Sequence, residues 1–334
     1  MIYIRTDMNN QIATGHVMRC LAIADALRQL DENVIFLLAD KEAVPLIESR
    51  GFNHIILNTQ WDNMDDEIPV ILSIIKTKKI NKLLIDSYKV TKNYLSQLSE
   101  VTNTIYIDDL NAFDYPVNTI ICYANYWNKF YARQKKSTKQ LLLGTEYVPL
   151  RKEFWYCQSK QIKKEADRLL ILSGGTDPYN FLERFLEEFD TKQFYSIDVI
   201  CGRYNMRYNM LYERYKNTNV IIHKAVSNIE KYMKETDLAI SAGGTSLYEL
   251  CAVGTPTISY SFADNQLYNV KKFHEDNIIS YAGDLRNDDI IKKMVEVIIK
   301  YKNDCQLRKD RSLKMQKLVD GKGSIRLARK LIDM

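Results

Sequence analysis

Short apolar runs rich in β-branched residues alternate with helix-type patterns along almost the whole chain, and this alternation constrains the fold more than any other feature. Strands that are apolar throughout and are joined by helices form parallel sheets covered on both faces. We predict strands at residues 2–7, 34–39, 54–57, 82–87, 104–108, 119–123, 141–144, 169–173, 197–201, 220–223, 238–241, 257–260 and 278–281. The pattern therefore predicts an α/β protein with two Rossmann-like domains, each built on a parallel sheet, that face each other across a cleft.

The length supports a division into two domains. A chain of 334 residues exceeds the roughly 250–300 residues at which single cores stop growing. The join is predicted within residues 145–166, where Pro149 is followed by a charged and aromatic stretch and then by a polar one. We therefore assign residues 1–150 to an N-terminal domain and residues 151–334 to a C-terminal domain that ends in a basic helical segment.

The composition is that of a globular protein without a targeting or membrane segment. Hydrophobic residues make up 46% of the chain and charged residues 27%, which allows sizeable cores. No apolar run approaches the ~18 residues of a membrane span, and the chain begins with a strand pattern rather than a signal peptide. The six cysteines are scattered and form no CxxC pair, which is typical of reduced thiols. We expect a cytoplasmic protein with no membrane span.

The formal net charge of +5 is concentrated near the end of the chain. Residues 300–330 hold eleven Lys and Arg against three acidic residues. A basic segment of this kind is one feature of nucleic-acid binding, but no zinc-finger, KH or RNP pattern accompanies it. We therefore interpret it as a solvated Lys-rich helix and expect no nucleic-acid partner.

The first candidate site lies at the start of the chain. The strand at 2–7 breaks into a polar loop, and Gly15-His16-Val17-Met18-Arg19 then opens an amphipathic helix. Ligands of open α/β sheets bind at the carboxyl ends of the strands, and a helix N-terminus there favours anions. A histidine can exchange protons near neutral pH, so His16 is a candidate for either anion binding or proton transfer.

Two glycine turns in the second half are candidates for phosphate binding. Ser173-Gly174-Gly175-Thr176 and Ser241-Ala242-Gly243-Gly244-Thr245-Ser246 each follow a strand and precede a helix. Glycines let the backbone N–H groups approach a phosphate closely. Neither turn has the GxGxxG or Walker spacing, so dinucleotide binding and ATP hydrolysis are disfavoured. Both turns are therefore candidates for a phosphate site, and from the residues alone His16 stays a candidate for either anion binding or proton transfer.

A set of short motifs keeps its order from residue 5 to about residue 330 and resembles the signatures of one enzyme family. The motifs are Gln11-Ile12-(x2)-Gly15-His16-Val17-Met18-Arg19-Cys20-Leu21, Leu84-Ile85-Asp86-Ser87-Tyr88, Ile107-Asp108-Asp109, Gly174-Gly175-Thr176-Asp177, Ser241-Ala242-Gly243-Gly244-Thr245-Ser246-(x2)-Glu249 and Asp264-Asn265-Gln266. The family that they resemble is the UDP-2,4-diacetamido-2,4,6-trideoxy-β-L-altropyranose hydrolases of pseudaminic acid biosynthesis, with close relatives in spore-coat polysaccharide biosynthesis.

The resemblance implies a fold of the glycosyltransferase-B type, with UDP on the second domain and the sugar facing the first. It implies a UDP-sugar substrate and hydrolysis to UDP and free sugar by water that His16 activates, without a metal or other cofactor. The implied catalytic residues are His16, Tyr88 and Asn265. The implied sugar-side residues are Asp7, Gly15, Arg19, Asp86, Asn125, Arg151 and Gln266, and the implied UDP-binding residues are Gly174, Gly175, Thr176, Ile229, Gly244, Thr245, Ser246 and Glu249.

The chain departs from the family pattern at two places and leaves two other functions open. Ser87 stands where some relatives carry a histidine, and Ala13-Thr14 replaces a glycine-containing pair. A glycosyltransferase of the same fold would pass the sugar to an acceptor instead of water. A nucleotide-sugar-binding protein without turnover is the third possibility.

The acidic residues of the first half do not predict a metal site. Asp62, Asp65 and Asp66 have the pattern of a solvated loop. Asp108 and Asp109 are adjacent, so they lack the spaced acid–x–acid pattern of metal-dependent transferases.

Overall fold

The computed structural model describes residues 1–131, 138–287 and 289–334. The chain divides into two compact units. The first contains Met1–Trp155 together with Lys322–Met334, and the second contains Tyr156–Gly321.

The first unit is a seven-stranded parallel sheet with strand order β3-β2-β1-β4-β5-β6-β7. Its strands are β1 (Ile2–Thr6), β2 (Val34–Leu38), β3 (Asn53–Ile56), β4 (Lys82–Asp86), β5 (Asn103–Ile107), β6 (Thr119–Cys122) and β7 (Gln140–Leu143). Its helices are α1 (Gly15–Gln29), α2 (Val44–Ser49), α3 (Met64–Lys78), α4 (Lys92–Val101), α5 (Trp127–Tyr131) and α13 (Gly323–Asp333). Successive residues Leu83, Leu84 and Ile85 are all fully buried, because helices cover both faces of a parallel sheet.

The second unit is a six-stranded parallel sheet with strand order β10-β9-β8-β11-β12-β13. Its strands are β8 (Arg168–Leu172), β9 (Ser196–Cys201), β10 (Val220–Lys224), β11 (Leu238–Ala242), β12 (Thr257–Ser261) and β13 (Ser280–Asp284). Its helices are α6 (Phe181–Glu188), α7 (Tyr208–Tyr215), α8 (Ile229–Glu235), α9 (Ser246–Val253), α10 (Asp264–Glu275), α11 (Ile291–Asn303) and α12 (Cys305–Leu318). Phe181 and Phe185 of α6 pack into the core beneath this sheet.

The thirteen strands found in the described residues match the thirteen apolar runs, so the predicted α/β class with two parallel sheets is confirmed. The last run is displaced along the chain, since the strand begins at Ser280 rather than at Ile278. The backbone N–H of Ile278 instead donates to the carbonyl of Phe273 and closes the end of α10. An apolar run can end a helix as well as form a strand, and periodicity does not separate the two uses.

The end of the chain belongs to the first unit, which differs from the predicted assignment of residues 151–334 to the C-terminal domain. Helix α13 packs against α1 and buries Leu327 and Leu331. Its first residue, Gly323, lies so close to the backbone of Val148 that a Cβ atom would come within 2.1 Å of the Val148 carbonyl oxygen. The apolar face of α13 is therefore covered by the first unit.

Residues 300–321 do belong to the second unit. The Arg308 side chain is buried there, and its guanidinium donates to the carbonyl oxygens of Lys302 at 2.8 Å and of Lys163 at 2.9 Å. Part of the basic segment is thus structural rather than solvated. Among the described residues, no helix combines the length and the apolarity needed to cross a membrane.

A buried ion pair joins β1 to two of the helices that cover the first sheet. Arg5 of β1 donates from Nε and Nη2 to the two carboxylate oxygens of Glu67, both at 2.8 Å. The hydroxyl of Tyr94 donates to Glu67 Oε1 at 2.6 Å. Burial alone would lower the pKa of Arg5, but Asp7 and Glu67 outweigh it and raise the pKa above its ordinary value. The pair therefore stays charged inside the unit and links β1 to α3 and α4.

We expect Glu67→Ala to lower the free energy of unfolding by about 3–5 kcal/mol, because it leaves the Arg5 cation buried without its bidentate partner. Chemical denaturation followed by circular dichroism measures the effect. Glu100→Ala, at an exposed position of α4, is the control and should change the stability by no more than about 0.5 kcal/mol. Equal stabilities of the two variants would contradict the prediction.

Candidate functional site

The strand order of the first unit creates a place where a ligand can bind. Strand β1 pairs with β2 on one side and with β4 on the other. From β1 the chain therefore proceeds outward in one direction through β2 and β3, and later in the opposite direction from β4. Ligands of open α/β sheets bind outside the carboxyl ends of the strands at such a switch point. His16 follows β1, and Asp86 is the last residue of β4.

The loop between β1 and α1 has a defined shape. The Asn9 side-chain oxygen accepts hydrogen bonds from the backbone N–H groups of Gln11 at 2.8 Å and Ile12 at 3.0 Å. Ala13 has a φ of 56°, in the left-handed region that favours glycine. Helix α1 then begins at Gly15, where an added Cβ would meet no atom within 4 Å. The loop thus places His16 in the first turn of the helix.

Three side chains of α1 converge on the Asp86 carboxylate. His16 Nδ1 lies 2.7 Å from Oδ1, and Arg19 donates from Nε to Oδ2 at 2.6 Å and from Nη2 to Oδ1 at 2.5 Å. The Cys20 thiol donates to Oδ2 at 3.4 Å. The spacing i, i+3, i+4 puts these three residues on one face of a helix. Asp86 is thereby supplied with donors on both carboxylate oxygens.

The surroundings of this cluster keep Asp86 ionised and the Cys20 thiol protonated. Burial alone would raise the pKa of Asp86, but Arg19 and His16 outweigh it and hold the pKa well below its ordinary value. Burial and the Asp86 charge raise the pKa of the Cys20 thiol, so the thiol keeps its proton. Because an ionised carboxylate can only accept, His16 Nδ1 is the donor in its contact with Asp86, and Arg19 Nη2 lies 3.1 Å from the same nitrogen. In the neutral imidazole with this tautomer, Nε2 carries the lone pair that a general base requires.

Tyr88, Asp109 and Tyr123 complete the cluster. The Tyr88 ring stands edge-on to the His16 ring, with centroids 4.5 Å apart, and its hydroxyl donates to Asp109 Oδ2 at 2.9 Å. Arg19 Nη1 lies 2.9 Å from the same oxygen and 2.7 Å from the Tyr123 hydroxyl. His16, Arg19, Asp86 and Tyr88, all predicted from the sequence, are therefore brought together.

Cys20, Asp109 and Tyr123 were not predicted as site residues. Asp109 lies just beyond the end of β5, and Tyr123 just beyond the end of β6. Both positions satisfy the rule that site residues follow the carboxyl ends of parallel strands, so the sequence carried a usable signal. Cys20 could have been found from its helical spacing to His16.

The other predicted residues of the first unit have the following positions and contacts. Asp7 accepts from Arg5 and from the Ala39 backbone N–H at 2.8 Å, so its carboxylate supports the sheet edge. Asn125 follows β6 in the connection that leads to α5. The Arg151 guanidinium lies over the ring of Phe154, 5.4 Å from its centroid.

The second unit has its own switch point, and both glycine turns lie there. Strands β8 and β11 are neighbours, and the turns follow their carboxyl ends. Gly174 has a φ of 81°. A Cβ at Gly243 would lie 2.4 Å from the Val270 side chain, whereas at Gly244 it would meet nothing within 4 Å. Gly243 is therefore required for packing, whereas the space beside Gly244 is open, although its backbone N–H donates to the Ala242 carbonyl at 2.8 Å.

The predicted UDP-binding residues after β11 lie at the start of one helix. Gly244, Thr245 and Ser246 lead into α9, and Glu249 lies in its first turn. Free N–H groups at a helix N-terminus suit a phosphate. Gly175 and Thr176 lie in the turn after the neighbouring strand β8.

The remaining predicted residues of the second unit lie on two other helices. Gln266, in the first turn of α10, accepts from the Phe262 backbone N–H at 3.0 Å, and its Cβ lies 3.1 Å from the position of a Cβ at Gly243. Asn265 is exposed beside it. Ile229 begins α8, after the edge strand β10. The described part of the chain contains no group of three or more His, Cys, Asp or Glu side chains arranged to hold a metal ion.

Comparison with known proteins identifies the class of fold. The crystal structure of Acinetobacter baumannii MurG aligns over 100% of this chain and 99% of its own, with a TM-score of 0.70 and 11% identity. The chain therefore has the two-domain α/β fold of the glycosyltransferase-B type, as predicted. Residues 169–321 match the model of the glycosyltransferase family 28 C-terminal domain.

Three curated relatives extend this comparison. An uncharacterised protein of Methanocaldococcus jannaschii is 29% identical over 77% of this chain, which spans only 54% of that relative. The spore coat polysaccharide biosynthesis protein SpsG of Bacillus subtilis is 24% identical over 96% of this chain and 94% of its own. The UDP-N-acetylglucosamine–N-acetylmuramyl-(pentapeptide) pyrophosphoryl-undecaprenol N-acetylglucosamine transferase of Helicobacter acinonychis is 34% identical over 41% of each chain.

We expect Asp86→Asn to destabilise the protein at neutral pH, and by less as the pH falls. A folded-state pKa below the unfolded value means that the unfolded chain takes up a proton first, near pH ~3.9. The contribution of Asp86 is therefore present above that pH and is lost as the pH decreases toward its folded pKa. Urea denaturation of the wild type and the variant between about pH 6 and about pH 3 measures the difference. A difference that stays constant or widens toward low pH would disprove this account.

Proposed function

We propose that the protein hydrolyses a UDP-linked 2,4-diacetamido-2,4,6-trideoxy sugar to UDP and the free sugar. The observation that carries the proposal is the 2.7 Å contact between His16 Nδ1 and the ionised Asp86. A histidine whose Nδ1 proton is held by a buried carboxylate presents Nε2 as a proton acceptor. The family resemblance of the sequence and the similarity to SpsG over nearly the whole chain support the same function.

In this mechanism His16 Nε2 takes a proton from water as the water oxygen attacks the anomeric carbon of the sugar. The bond between that carbon and the diphosphate oxygen breaks, and UDP leaves with the electron pair. The imidazolium that forms is stabilised by Asp86 and later releases its proton to solvent. Tyr88 and Asn265 support the sugar or the attacking water, together with the other sugar-side residues. General base catalysis of this kind typically raises the reaction rate by roughly 10²–10⁴-fold.

The second unit supplies the proposed UDP site. Backbone N–H groups of the turn at Gly174 and of the start of α9 would hold the diphosphate and take up its developing charge. Glu249 would accept hydrogen bonds from the ribose hydroxyls. The Helicobacter relative is named as a transferase that uses UDP-N-acetylglucosamine, which supports a UDP-sugar as the ligand here.

A glycosyltransferase of the same fold is the second candidate, and the match of residues 169–321 to the family 28 domain favours it. Hydrolysis and transfer differ only in whether water or an acceptor hydroxyl attacks. Incubation with UDP-sugars in the absence of any acceptor separates them. Release of both UDP and free sugar supports hydrolysis, whereas release that depends on an added acceptor supports transfer.

We propose that the enzyme acts in the cytoplasm. Its reaction would belong to the biosynthesis of a nonulosonic (pseudaminic-type) acid that supplies surface polysaccharide. The similarity to SpsG supports a polysaccharide context. We propose that the reaction requires no metal, since UDP is a good leaving group and the diphosphate charge can be held by backbone N–H groups. Turnover that persists in the presence of a chelator tests this point.

We expect His16→Ala to reduce UDP release by about 10²–10⁴-fold, because the water loses its base, while UDP binding measured by calorimetry stays unchanged. His54→Gln, in strand β3 at the edge of the same sheet, is the matched control and should retain full activity. Equal rates for His16→Ala and wild type would remove His16 from the mechanism. Reaction in ¹⁸O-water should label the free sugar, and label in UDP would instead indicate attack at phosphorus.

We expect Glu249→Ala to weaken UDP binding by roughly 1.5–3 kcal/mol, the usual contribution of a hydrogen bond to a charged group. Calorimetric titration with UDP measures the loss. Glu235→Ala, at the exposed end of α8, should bind UDP as the wild type does. Unchanged affinity in Glu249→Ala would exclude the ribose contact.

A further inference from the structure

The Asp109 carboxylate joins three of the segments that build the site in the first unit. Its Oδ2 accepts from the Tyr88 hydroxyl, in the loop after β4, and from Arg19 Nη1 of α1, both at 2.9 Å. The Asp109 backbone oxygen accepts from the Tyr126 hydroxyl, in the segment after β6, at 3.0 Å. Asp109 is therefore hydrogen-bonded to α1 and to the segments that follow β4 and β6.

The neighbouring Asp108 has a different environment. Its Oδ1 accepts from the backbone N–H groups of Leu110 and Asn111, both at 3.0 Å, and from the Tyr115 hydroxyl at 2.8 Å. These partners follow Asp108 closely in the chain, and the Tyr131 hydroxyl of α5 donates to its Oδ2, so Asp108 shapes its own loop and joins it to α5. Of the two adjacent carboxylates, Asp109 is the one that contacts the His16 cluster.

The contacts of Asp109 reach His16 by two routes. Through Tyr88 it acts on a ring that lies edge-on to the His16 imidazole, 4.5 Å between centroids. Through Arg19 it acts on the guanidinium that shares Asp86 with His16. Tyr88 has a rotatable ring in a loop, and its hydroxyl bond to Asp109 limits where that ring can lie. Removing the acceptor therefore alters the contact between Tyr88 and His16.

We propose that Asp109 is a positioning residue that fixes Tyr88 against the His16 ring and shares Arg19 with Asp86. Its part in the reaction rests on the proposed function, in which His16 and Tyr88 act on the water and sugar. Asp109 itself transfers no proton in this proposal. Its charge and geometry set the arrangement of the groups that do.

The first test observes His16 without turnover. The ring nitrogens of the four histidines are followed by ¹⁵N NMR, and the His16 signals are assigned by their loss in His16→Gln. We expect Asp109→Asn and Tyr88→Phe to shift the His16 signals and to leave those of His54, His223 and His274 in place. Asp62→Asn, an exposed Asp in the same unit, is the matched control and should shift none.

The second test measures whether Asp109 acts through Tyr88. We expect Asp109→Asn to lower kcat for UDP release by up to about 10²-fold, the size of effect that misplaced reacting groups produce, with a much smaller change in KM. The double variant with Tyr88→Phe should lose less than the product of the two single losses, because both remove the contact between the Tyr88 hydroxyl and Asp109 and only Asp109→Asn also alters the Arg19 contact. Losses that multiply in the double variant would overturn the proposal.

A folded Asp109→Asn protein whose His16 signals match those of the wild type would also overturn it. If Asp109→Asn does not fold, Tyr88→Phe, which removes only the hydroxyl that reaches Asp109, gives the same NMR comparison. If the wild type releases UDP from no UDP-sugar, the proposed function fails while the NMR comparison still decides the positioning role.

Discussion

The buried Asp86 carboxylate is the interaction on which the candidate site depends. It is a charge taken out of water, and such a charge is tolerated only when opposite charges and donors surround it. The first two turns of α1 meet this need with His16, Arg19 and Cys20. The ionised Asp86 in turn accepts from His16 Nδ1 and so sets the tautomer of His16. Satisfying the buried charge and preparing a base are therefore one physical arrangement.

The two sheets place their candidate sites by the same geometric rule. In each unit the strand order reverses between two neighbours, β1 and β4 in the first and β8 and β11 in the second. Helices that leave opposite faces of a sheet diverge at such a point and leave its carboxyl edge open. The first unit places ionisable side chains at this edge, and the second places glycine turns there. This difference underlies the proposal that the first handles proton transfer and the second the diphosphate.

Local sequence patterns predicted the strands and helices well, because these elements depend mainly on residues that are near neighbours in the chain. Apolar runs became strands, and the spacing of His16, Arg19 and Cys20 placed them on one helix face. The prediction was weaker where one pattern serves two structures. Ile278 closes α10 instead of starting β13, and Asp109 contacts Arg19 although the sequence placed it only in a family motif and in an adjacent acidic pair, with no role in the site.

The sequence by itself determined the α/β class, the thirteen strands and the presence of polar groups at their carboxyl ends, because side-chain periodicity reports which faces are buried. Only the tertiary structure decided that β4 lies beside β1, which brings Asp86 to within hydrogen-bonding distance of His16 across 70 residues of chain. It also decided that α13 returns to the first unit, where the close backbone contact at Gly323 fits. Contacts between distant segments depend on which surfaces fit together, and no local pattern of residues encodes that choice.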